Sequence, residues 1–529
     1  WFNAAFDRFT GWYAGLVRVL ARVWPLSLLA FVGLVFGLYV LFGRIGTGFV
    51  PEEDQGYFMV MIDMPPASSF ARTQAVTAEA AKILRGVPGV SDTVGVGGFD
   101  VVTFLQDPGM GAIFTLLKPW SERTTEALSV EGIMATARKR LEGISEARIG
   151  VINAPAIPGL SSTAGLELEI QDLGDRGPAA LADVTEAYLA AARKRPELGP
   201  MLTTYSAGLP QRFLDVDRTK AMTLGVDLDD LFDTLQVNVG SMYVNQFNRY
   251  GRVYRTYVQA ESEARASEDD LGRLRVRNAA GEMIDLNALA TVKPMFGPFN
   301  VDRYNLYRSA LVIGSASAGT SSGAAQQAME EVADEVLPDG YTTQWTSTVY
   351  QQRQAGTVAP IIFCLSLVVV FLVLAAQYES WTMPLMVILA IPIGILGAIA
   401  GLILRKLDLD IYAQVGLLML IGLTAKNAIL IVQFAKVRRE AGTPIMDAAV
   451  EAARIRLRPI LMTALAFIFG VAPLAFASGA GAYARVGIGT VVGSGVLAST
   501  VLIVFVPLFY IVIQGARERV VGPPPEVRE

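Results

Sequence analysis

The chain has 529 residues, and 52% of them are hydrophobic and gathered in blocks rather than spread evenly. The net charge of −5 is small for this length and gives no indication of nucleic-acid binding. One cysteine excludes a disulfide framework, and the lack of histidine removes the usual metal ligand and the usual proton shuttle near pH 7. The composition therefore predicts a membrane protein with a large soluble part.

Six apolar segments approach or exceed the roughly 20 residues that an α-helix needs to cross a bilayer. They are Val23–Phe42, Val358–Gln377, Met383–Leu404, Ile411–Ala435, Pro459–Ala477 and Val486–Ile513. Basic residues collect at the leading segment, at the loop between the fourth and fifth spans and at the tail 514–529. Because Lys and Arg favour the cytoplasmic side, we expect both termini there and the segment from about 44 to 354 outside.

Residues 1–22 alternate large apolar and basic side chains with helical spacing. This pattern predicts an amphipathic helix on the inner membrane surface, followed by the first span at 23–42. An ordinary surface helix packed on protein is the alternative. The chain begins with Trp1 and shows no signal sequence, so we expect it to be part of a longer polypeptide.

The external segment begins with a region at 44–157 that alternates strand and helix patterns. The predicted strands are Tyr57–Met64, Gly89–Val96, Ile113–Leu117 and Ala147–Asn153, and the predicted helices are Ser68–Leu84 and Val130–Leu141. This order is βαββαβ, the split βαβ or ferredoxin-like unit. A generic α/β region with accidental symmetry is the alternative.

A second copy of the same order is interrupted by an insert. Its parts are 158–209 and 300–354, with predicted strands at Leu166–Gln171, Met201–Tyr205, Asn305–Gly314 and Tyr341–Thr348 and helices at Ala179–Ala192 and Gly323–Val336. The insert at 210–299 has strand patterns of its own at Arg212–Val216 and Val253–Gln259 and a helix at Asp227–Val237. The fold class predicted is thus six membrane helices, at 23–42 and 358–513, with two ferredoxin-like subdomains, one of which carries an insert.

Lys426 lies in the middle of the apolar run that forms the fourth span. A charge at mid-bilayer costs roughly 3 kcal/mol on insertion scales, so it is expected to face a packed interior and to have a partner. The six predicted spans contain no carboxylate. Either the lysine is neutral or its counter-charge lies on helices outside this chain; a lysine that only anchors its helix is the third possibility.

Long stretches of the sequence resemble one family. The run GLLMLIGLTAKNAILIVQF at 416–434 and RLRPILMT at 456–463 resemble the C-terminal half of resistance-nodulation-division (RND) multidrug efflux pumps of the hydrophobe and amphiphile exporting class. FVPEEDQGYFMV near Phe49, AAQYESWTMP near Ala375 and GSASAGTSSGAA near Gly314 fit the same family. In that family a protomer has twelve membrane helices in two repeats, and this chain resembles the second.

The resemblance implies the parts of a proton-driven export machine in the Gram-negative inner membrane. The two ferredoxin-like units resemble porter subdomains, and the insert resembles half of a docking domain. The implied partners are an N-terminal half that carries an acidic pair, two further protomers of a homotrimer, a periplasmic adaptor, an outer-membrane channel, the lipid bilayer and amphiphilic small molecules. The implied energy source is the proton gradient; no cofactor, metal or nucleic acid is implied.

The resemblance also assigns a proton relay, in which a lysine bridges two aspartates of the other repeat. Lys426 matches that lysine, Asn427 follows it, and Arg456 and Thr463 match further relay positions. Arg456 and Thr463 are two helical turns apart and therefore share one helix face. Without the resemblance, Arg456 would be interpreted as a cytoplasmic anchor and Thr463 as a residue that satisfies a backbone carbonyl.

A glycine-rich loop at 97–111 matches the family's switch loop between two drug pockets. The predicted pocket and loop residues are Val94, Val96, Gly97, Gly98, Phe99, Val101, Phe104, Phe114 and Ile152. Val94, Val101 and Ile152 depart from the phenylalanine pattern of the drug pumps, so the substrate range is expected to differ. Phe99 and Phe114 could instead be ordinary core residues of a sheet.

The chain contains no phosphate-binding GxxxxGK[ST] motif, and we found no methionine set that matches the metal-exporting branch of the superfamily. The function predicted is the C-terminal half of a secondary active transporter, not an enzyme. A half-size protein that acts with a separate half is the first alternative. A non-transporting export or assembly factor is the second.

Overall fold

The computed structural model describes residues 2–356 and 358–522, and the chain divides into two units. One unit is Ser206–Val301, which spans the range predicted as an insert. The other unit contains the remaining described residues, namely the membrane helices and two sheets. Each unit is described by itself.

The first helices are α1 (Phe2–Arg22) and α2 (Trp24–Phe42). Tyr13 and Val17 on one side of α1 are buried in the core of the helical region, whereas Phe9 and Trp12 on another side are exposed. The predicted helix is present over Phe2–Arg22, with one apolar face packed on protein and further apolar side chains exposed. Its position on a membrane surface stays a prediction.

The first sheet follows from residue 57 and has the predicted order of elements. They are β1 (Tyr57–Asp63), α3 (Phe70–Arg85), β2 (Val90–Gly97), β3 (Met110–Leu117), α4 (Val130–Leu141) and β4 (Arg148–Asn153). The strands are antiparallel in the order β2-β3-β1-β4. Both helices pack on one face, where Phe58, Val60 and Ile62 of β1 form the core, because alternate residues of a strand point to the same face.

A second sheet begins with β5 (Leu166–Asp172), α5 (Pro178–Ala192) and β6 (Leu198–Thr203). The chain then forms the separate unit of residues 206–301. Its elements are β7 (Leu209–Val216), α6 (Arg218–Thr223), α7 (Leu228–Leu235), β8 (Met242–Arg249), β9 (Arg252–Val258), α8 (Glu268–Gly272), β10 (Arg275–Arg277), β11 (Met283–Asp285) and β12 (Ala290–Gly297). The strands of this unit form three two-stranded sheets, β7 with β12, β8 with β9 and β10 with β11.

The second sheet is completed after the insert. The remaining elements are β13 (Arg303–Tyr304), β14 (Tyr307–Ala316), α9 (Ser322–Val336), β15 (Tyr341–Trp345) and α10 (Ser347–Gly356). β14 lies between β5 and β6, and β15 pairs with the other side of β5. The order β6-β14-β5-β15 repeats that of the first sheet. The last predicted strand, at 341–348, ends earlier, because a helix begins at Ser347.

The remaining helices are α11 (Ala359–Tyr378), α12 (Thr382–Ile388), α13 (Ile391–Leu404), α14 (Ile411–Glu440), α15 (Ile445–Ala475), α16 (Ala482–Val501) and α17 (Phe505–Val521). With α12 and α13 taken as one segment, six segments of the described chain are long and apolar enough to cross a membrane. This number agrees with the prediction.

Two of the six predicted spans differ from the structure. The predicted span 486–513 is two helices, and α17 continues to Val521, beyond residue 514 where the predicted tail begins. The assignment of 514–529 as a cytoplasmic tail stays a prediction. The break falls just before Pro507, whose ring lacks an N–H and clashes with the carbonyl four residues earlier. The predicted span 459–477 is the end of α15, which begins at Ile445 and keeps Pro459 inside the helix.

The segment between α2 and β1, residues 43–56, is hydrogen-bonded on two sides. Gly48 N–H donates to the Leu409 carbonyl beside α14, and the Glu53 carboxylate accepts a 3.1 Å hydrogen bond from Ala484 N–H at the start of α16. On the other side, the Thr47 carbonyl accepts from Gly323 N–H of α9, and the Glu53 carbonyl from the Asn153 side chain of β4. This tie segment thus contacts membrane helices and both sheet regions.

Candidate functional site

The helix that carries Lys426 has one buried and one open face. Asp410 caps the start of α14, and its carboxylate accepts a 2.7 Å hydrogen bond from Ala413 N–H. Asn427 and Thr424 are buried against neighbouring helices, whereas Lys426 lies on the open face. Val415, Met419 and Val437 are exposed at the same helical spacing. The helix therefore presents an apolar stripe with one cation in it.

Two contacts fix how α14 lies beside α15. Arg438 forms a 3.1 Å ion pair with Glu451, and the Arg456 guanidinium carbon lies 4.8 Å from the centre of the Phe434 ring. Residues with lower numbers on α14 thus contact residues with higher numbers on α15, so the two helices are antiparallel. Thr463 is seven residues beyond Arg456, about 10 Å along the axis. It therefore lies at the level of Lys426 and Asn427.

Arg456 lies in the N-terminal half of α15, which contains charged residues, and the apolar half of the helix follows it. Its guanidinium stacks on Phe434, and its Nε is buried without a hydrogen-bond partner among the described groups. The Thr463 hydroxyl donates a 3.1 Å hydrogen bond to the Ile460 carbonyl of its own helix. Both predictions for Thr463 therefore remain open, since the hydroxyl satisfies a carbonyl and also lies at the level of the lysine.

Lys426 has no counter-charge among the residues that the structure describes. Among residues 2–356 and 358–522, no carboxylate lies within ion-pair distance of its amine. The charged residues nearest along the helix, from Lys436 onwards, are more than two turns away at the end of α14. An ammonium on an apolar stripe is costly to leave against lipid. This face consequently requires an acidic partner or a neutral lysine.

A second site lies between the two sheets. The face of the first sheet that does not carry helices packs on Leu311 and Ile313 of β14 and Leu202 of β6. The contact includes Met61 of β1 and the backbone at Gly150, which Leu202 also approaches. Apart from the Tyr57 hydroxyl, the side chains that meet in this cluster are apolar, and Glu169 and Glu167 of β5 stand opposite Leu311 and Ile313 in the strand register. The packing of these side chains closes the cleft between the sheets. An apolar ligand can take the place of such contacts.

The predicted pocket residues divide into two groups. Phe99, Val101, Phe114 and Ile152 lie together in the inter-sheet cluster. Val94 and Val96 do not, because β2 is the edge strand and their side chains are 53% and 37% exposed. Phe104 is 64% exposed, although its ring meets that of Phe99 edge-on at 6.0 Å between centres.

Several residues of the cluster were missed by the sequence patterns. Met59, Met61 and Met110 lie on the same sheet face with Val102 and Ala112. The signal for them is the run from Phe58 to Ile62, in which every residue is buried. A strand buried on both faces indicates a second packing partner. The structure thus brings three thioethers into the cleft, where flexible sulfur side chains adapt to varied apolar shapes.

The loop at 97–111 is held by a buried carboxylate. Asp100 accepts hydrogen bonds from Val102 N–H at 2.8 Å and from the Thr103 hydroxyl at 2.7 Å, and its carbonyl accepts from Phe104 N–H. Gly98 has a φ of +74° with the Phe70 ring close by, so a side chain there would be strained. The loop is an ordered turn at the edge of the cleft.

A cavity of about 350 Å³ opens beside the cluster and shares Ile152, Leu202 and Ile313 with it. Its other wall is polar and includes Glu52, Glu131 and Arg138. Arg138 donates a 3.1 Å hydrogen bond to the Val151 carbonyl. An apolar cleft that adjoins a charged cavity matches the two ends of an amphiphilic molecule.

Six apolar segments able to cross a membrane, with a cation on the open face of α14, and two sheets of one topology with an apolar cleft between them define a multi-pass membrane protein. Residues 1–514 match the profile of the AcrB/AcrD/AcrF family. The chain is 40% identical over 518 residues to the toluene efflux pump membrane transporter TtgB of Pseudomonas putida. It is 39% identical over 521 residues to the multidrug export protein AcrF of Escherichia coli.

The chain belongs to the AcrB/AcrD/AcrF family of RND efflux transporters. These two alignments cover 97% of this chain, and 49% of TtgB and 50% of AcrF. The chain spans about half the length of the curated relatives it matches.

Proposed function

We propose that this chain is the C-terminal repeat of a proton-driven pump that exports amphiphilic compounds. The observation that carries the proposal is Lys426, a cation on the open face of α14 with no carboxylate beside it among the described residues. A preceding repeat that supplies two carboxylates at this depth would neutralise it. Protonation of those carboxylates would then release the lysine and shift α14 against its neighbours.

Asn427, Arg456 and Thr463 complete the proposed relay. Thr463 lies level with Lys426, and Arg456 lies about 10 Å further towards the charged end of α15. This spacing suits a proton path that leads from the lysine to the membrane surface. The unpartnered Nε of Arg456 supports a role beyond that of an anchor, since a buried donor without an acceptor is unfavourable.

For the substrate side, we propose that both sheets are ferredoxin-like porter subdomains and that their cleft binds the exported compound. The apolar cluster would receive the hydrophobic part, and the cavity with Glu52 and Glu131 the polar part. Val101 and Ile152 stand where the family's drug pumps carry phenylalanine, and three methionines belong to the same cluster, so shape adaptation contributes more than ring stacking. Efflux pumps for solvents and for drugs both occur among the relatives.

The proposed assembly follows from family membership. The unit at 206–301 would dock an outer-membrane channel, three protomers would form the pump, and a periplasmic adaptor would enclose it. The proposed location is the inner membrane with both ends of the chain cytoplasmic. The basic residues at the end of α14 and in the first half of α15, among them Arg438, Arg454 and Arg458, support this orientation.

The decisive experiment replaces Lys426 in the complete pump. Lys426→Ala and Lys426→Met should abolish drug resistance and drug-dependent proton flux in vesicles, while expression and trimer formation stay normal. The matched control is Lys436→Ala on the same helix, because Lys436 already has Glu440 at 3.9 Å and lies at the helix end. Resistance that is unchanged at equal expression would contradict the relay.

Two other outcomes distinguish the alternatives. If the chain expressed alone catalyses drug-dependent proton flux, it is a half-size transporter that pairs with itself. If the complete protein shows no such flux with any amphiphile, yet its loss disturbs secretion of proteins, the export-factor hypothesis replaces ours. Native mass spectrometry of the purified complex identifies its subunits in either case.

A further inference from the structure

A groove with a single charged residue lies where α13, α15 and α16 end or begin. It has a volume of about 330 Å³, and its apolar lining includes Leu404, Ile468, Val471, Phe476 and Leu497. Arg405 is the only charged residue among the described residues that line it. Neither the cleft nor the proposed proton relay includes any of these residues.

The groove lies at the edge of the membrane that faces the sheets. Arg405 directly follows the last residue of α13, and Ala475 is the last residue of α15. The short connection after Arg405 bonds to the tie segment, since Leu409 N–H donates a 2.8 Å hydrogen bond to the Gly46 carbonyl. The arginine therefore stands at the boundary between hydrocarbon and polar surroundings.

Arg405 is held in place by neutral groups only. Its Nη1 donates to the Ala475 carbonyl at 2.8 Å and to the Thr490 hydroxyl at 2.5 Å, and its Cζ lies 5.6 Å from the Phe476 ring centre. No carboxylate in the described part of the chain forms an ion pair with it. Its positive charge is thus fixed in position and uncompensated, with donors on Nε and Nη2 free of described acceptors.

The groove is open along its apolar length. A Cβ atom built on Gly493 would meet nothing within 4 Å. Leu404 and Leu497 beside it are 84% and 53% exposed. Because α13 and α16 belong to membrane-spanning segments, this opening faces the depth at which lipid chains lie.

We propose that this groove binds an anionic phospholipid of the leaflet nearest the sheets. One acyl chain would lie along Val471, Gly493 and Leu497, and the phosphodiester would accept hydrogen bonds from Arg405. Guanidinium groups bind phosphate oxygens through paired donors. The net charge of the headgroup decides the class of lipid. An anionic headgroup balances the positive charge of Arg405, whereas a zwitterionic headgroup has no net charge to balance it.

The test compares phosphatidylglycerol with phosphatidylcholine on the complete protein in neutral detergent, with bound lipid counted by native mass spectrometry. Wild type should bind phosphatidylglycerol preferentially. Arg405→Gln should weaken that binding about fivefold, the factor expected for one arginine at an anionic surface, and weaken phosphatidylcholine binding less, because its headgroup has no net charge. Gly493→Leu should weaken both lipids by filling the groove, whereas Gly493→Ala should bind as wild type.

Arg485→Gln is the matched control. Arg485 lies at the same membrane edge and is also held by two carbonyls, of Ser478 and Ala480, but it does not line the groove. Equal weakening by Arg485→Gln and Arg405→Gln would show a general surface charge and overturn the proposal. Glycerol phosphate that competes as well as the lipid would overturn the acyl-chain contact.

Two further results would also reject the groove as a lipid site. One is unchanged phosphatidylglycerol binding in Gly493→Leu. The other is loss of trimer assembly in Gly493→Leu on size-exclusion chromatography with helical content intact, because it would show that protein covers the groove. Retained assembly together with weakened binding of both lipids supports the proposal.

Discussion

Arg439 donates two hydrogen bonds to Glu518, from Nε at 2.9 Å and from Nη2 at 2.8 Å, and so joins the end of α14 to α17. Gln514 adds a third at 2.9 Å to the same carboxylate. The two charged side chains are only 18% and 12% exposed. The pair holds α17 to α14, the helix that carries the proposed relay lysine.

Removal of one member of this pair should destabilise the helical region. Glu518→Gln is expected to cost about 2 kcal/mol, since a shielded guanidinium loses its charged acceptor. A double-mutant cycle with Arg439→Gln, followed by thermal unfolding in detergent, measures the coupling. The exposed pair of Arg193 and Glu186, at 3.4 Å, serves as control and should show coupling near zero. Equal coupling in both pairs would contradict the expectation.

The same pair predicts a dependence on acid. The hydrogen bonds from Arg439 lower the pKa of Glu518 below its ordinary value of 4.5. A carboxyl group with a lowered pKa in the folded state contributes stability above that ordinary value and loses it as the pH falls further. The difference in melting temperature between wild type and Glu518→Gln should therefore be full at pH 7 and shrink below about pH 4.5.

Asp410 should have the opposite effect. Burial raises its pKa from 3.8 to about 6, with Asp408 and Glu53 adding to the rise and the backbone N–H groups of Ala413 and Tyr412 opposing it. The folded state therefore holds this proton more tightly, so its contribution to stability is present below about pH 4 and is lost as the pH rises through about 6.

Asp410→Asn should remove this dependence. An asparagine keeps the helix cap of α14, cannot ionise and should stabilise the protein relative to wild type at pH 7. Melting temperatures measured from pH 4 to pH 7 check the prediction. Asp410→Ala is the control for the cap and should lie about 1 kcal/mol below Asp410→Asn in stability at every pH. A parallel fall of wild type and Asp410→Asn would rule out Asp410 as the titrating group.

Asp100 should control the mobility of the loop beside the cleft. Asp100→Ala removes the acceptors for Val102 N–H and the Thr103 hydroxyl, so hydrogen exchange in residues 99–105 should accelerate about tenfold or more. Asp92→Ala is the control, because Asp92 bonds only the adjacent Thr93 N–H on the exposed edge strand. Unchanged exchange in Asp100→Ala would show that packing, not the carboxylate, orders the loop.

Shortening the loop at 97–111 should change substrate preference more than proton coupling. The reason is that the loop borders the cleft through Phe99 and Val101, whereas the relay residues lie on α14 and α15. Resistance profiles against compounds of graded size, with drug-dependent proton flux as the second readout, check this. An equal loss for all compounds would argue against a selective gate.

Close helix contact should make Gly489 intolerant of any side chain. A Cβ there would lie 2.8 Å from the Ala475 Cα and 2.8 Å from the Leu474 carbonyl carbon, which are backbone atoms of α15. Gly489→Ala should therefore cost about 1 to 3 kcal/mol by forcing α16 away from α15. Gly493→Ala, one turn later, meets open space and should leave the melting temperature nearly unchanged.

Periodicity predicted the sheets better than it predicted the ends of the membrane helices. The order of elements in the first sheet and the bounds of α4 agree with the sequence pattern, because one face of each element packs on a single core. The hydropathy pattern does not reveal the break between α16 and α17 before Pro507, because the residues on both sides of it are apolar. The proline itself is the signal, through its missing N–H.

The sequence predicted those site residues that are recognised by their depth within an apolar segment. It did not predict those that depend on how strands and helices pack against each other. The position of Lys426 within an apolar run was sufficient to single it out, but its open face depends on how α14 packs. Val94 and Val96 alternate like pocket residues, yet only strand order shows that β2 is an edge. Met59 and Met61 needed the second sheet to be recognised, since a contact between distant strands leaves no local pattern.

The tie segment has a mechanical consequence. It leads directly into β1, an inner strand of the first sheet, and its hydrogen bonds run to the beginnings of α14 and α16. A displacement of either helix along its axis would pull on Gly48 or Glu53. The force would then act on β1, an inner strand of the first sheet, and not on an edge strand. The first sheet would then tilt as one body, and the cleft on its helix-free face would widen.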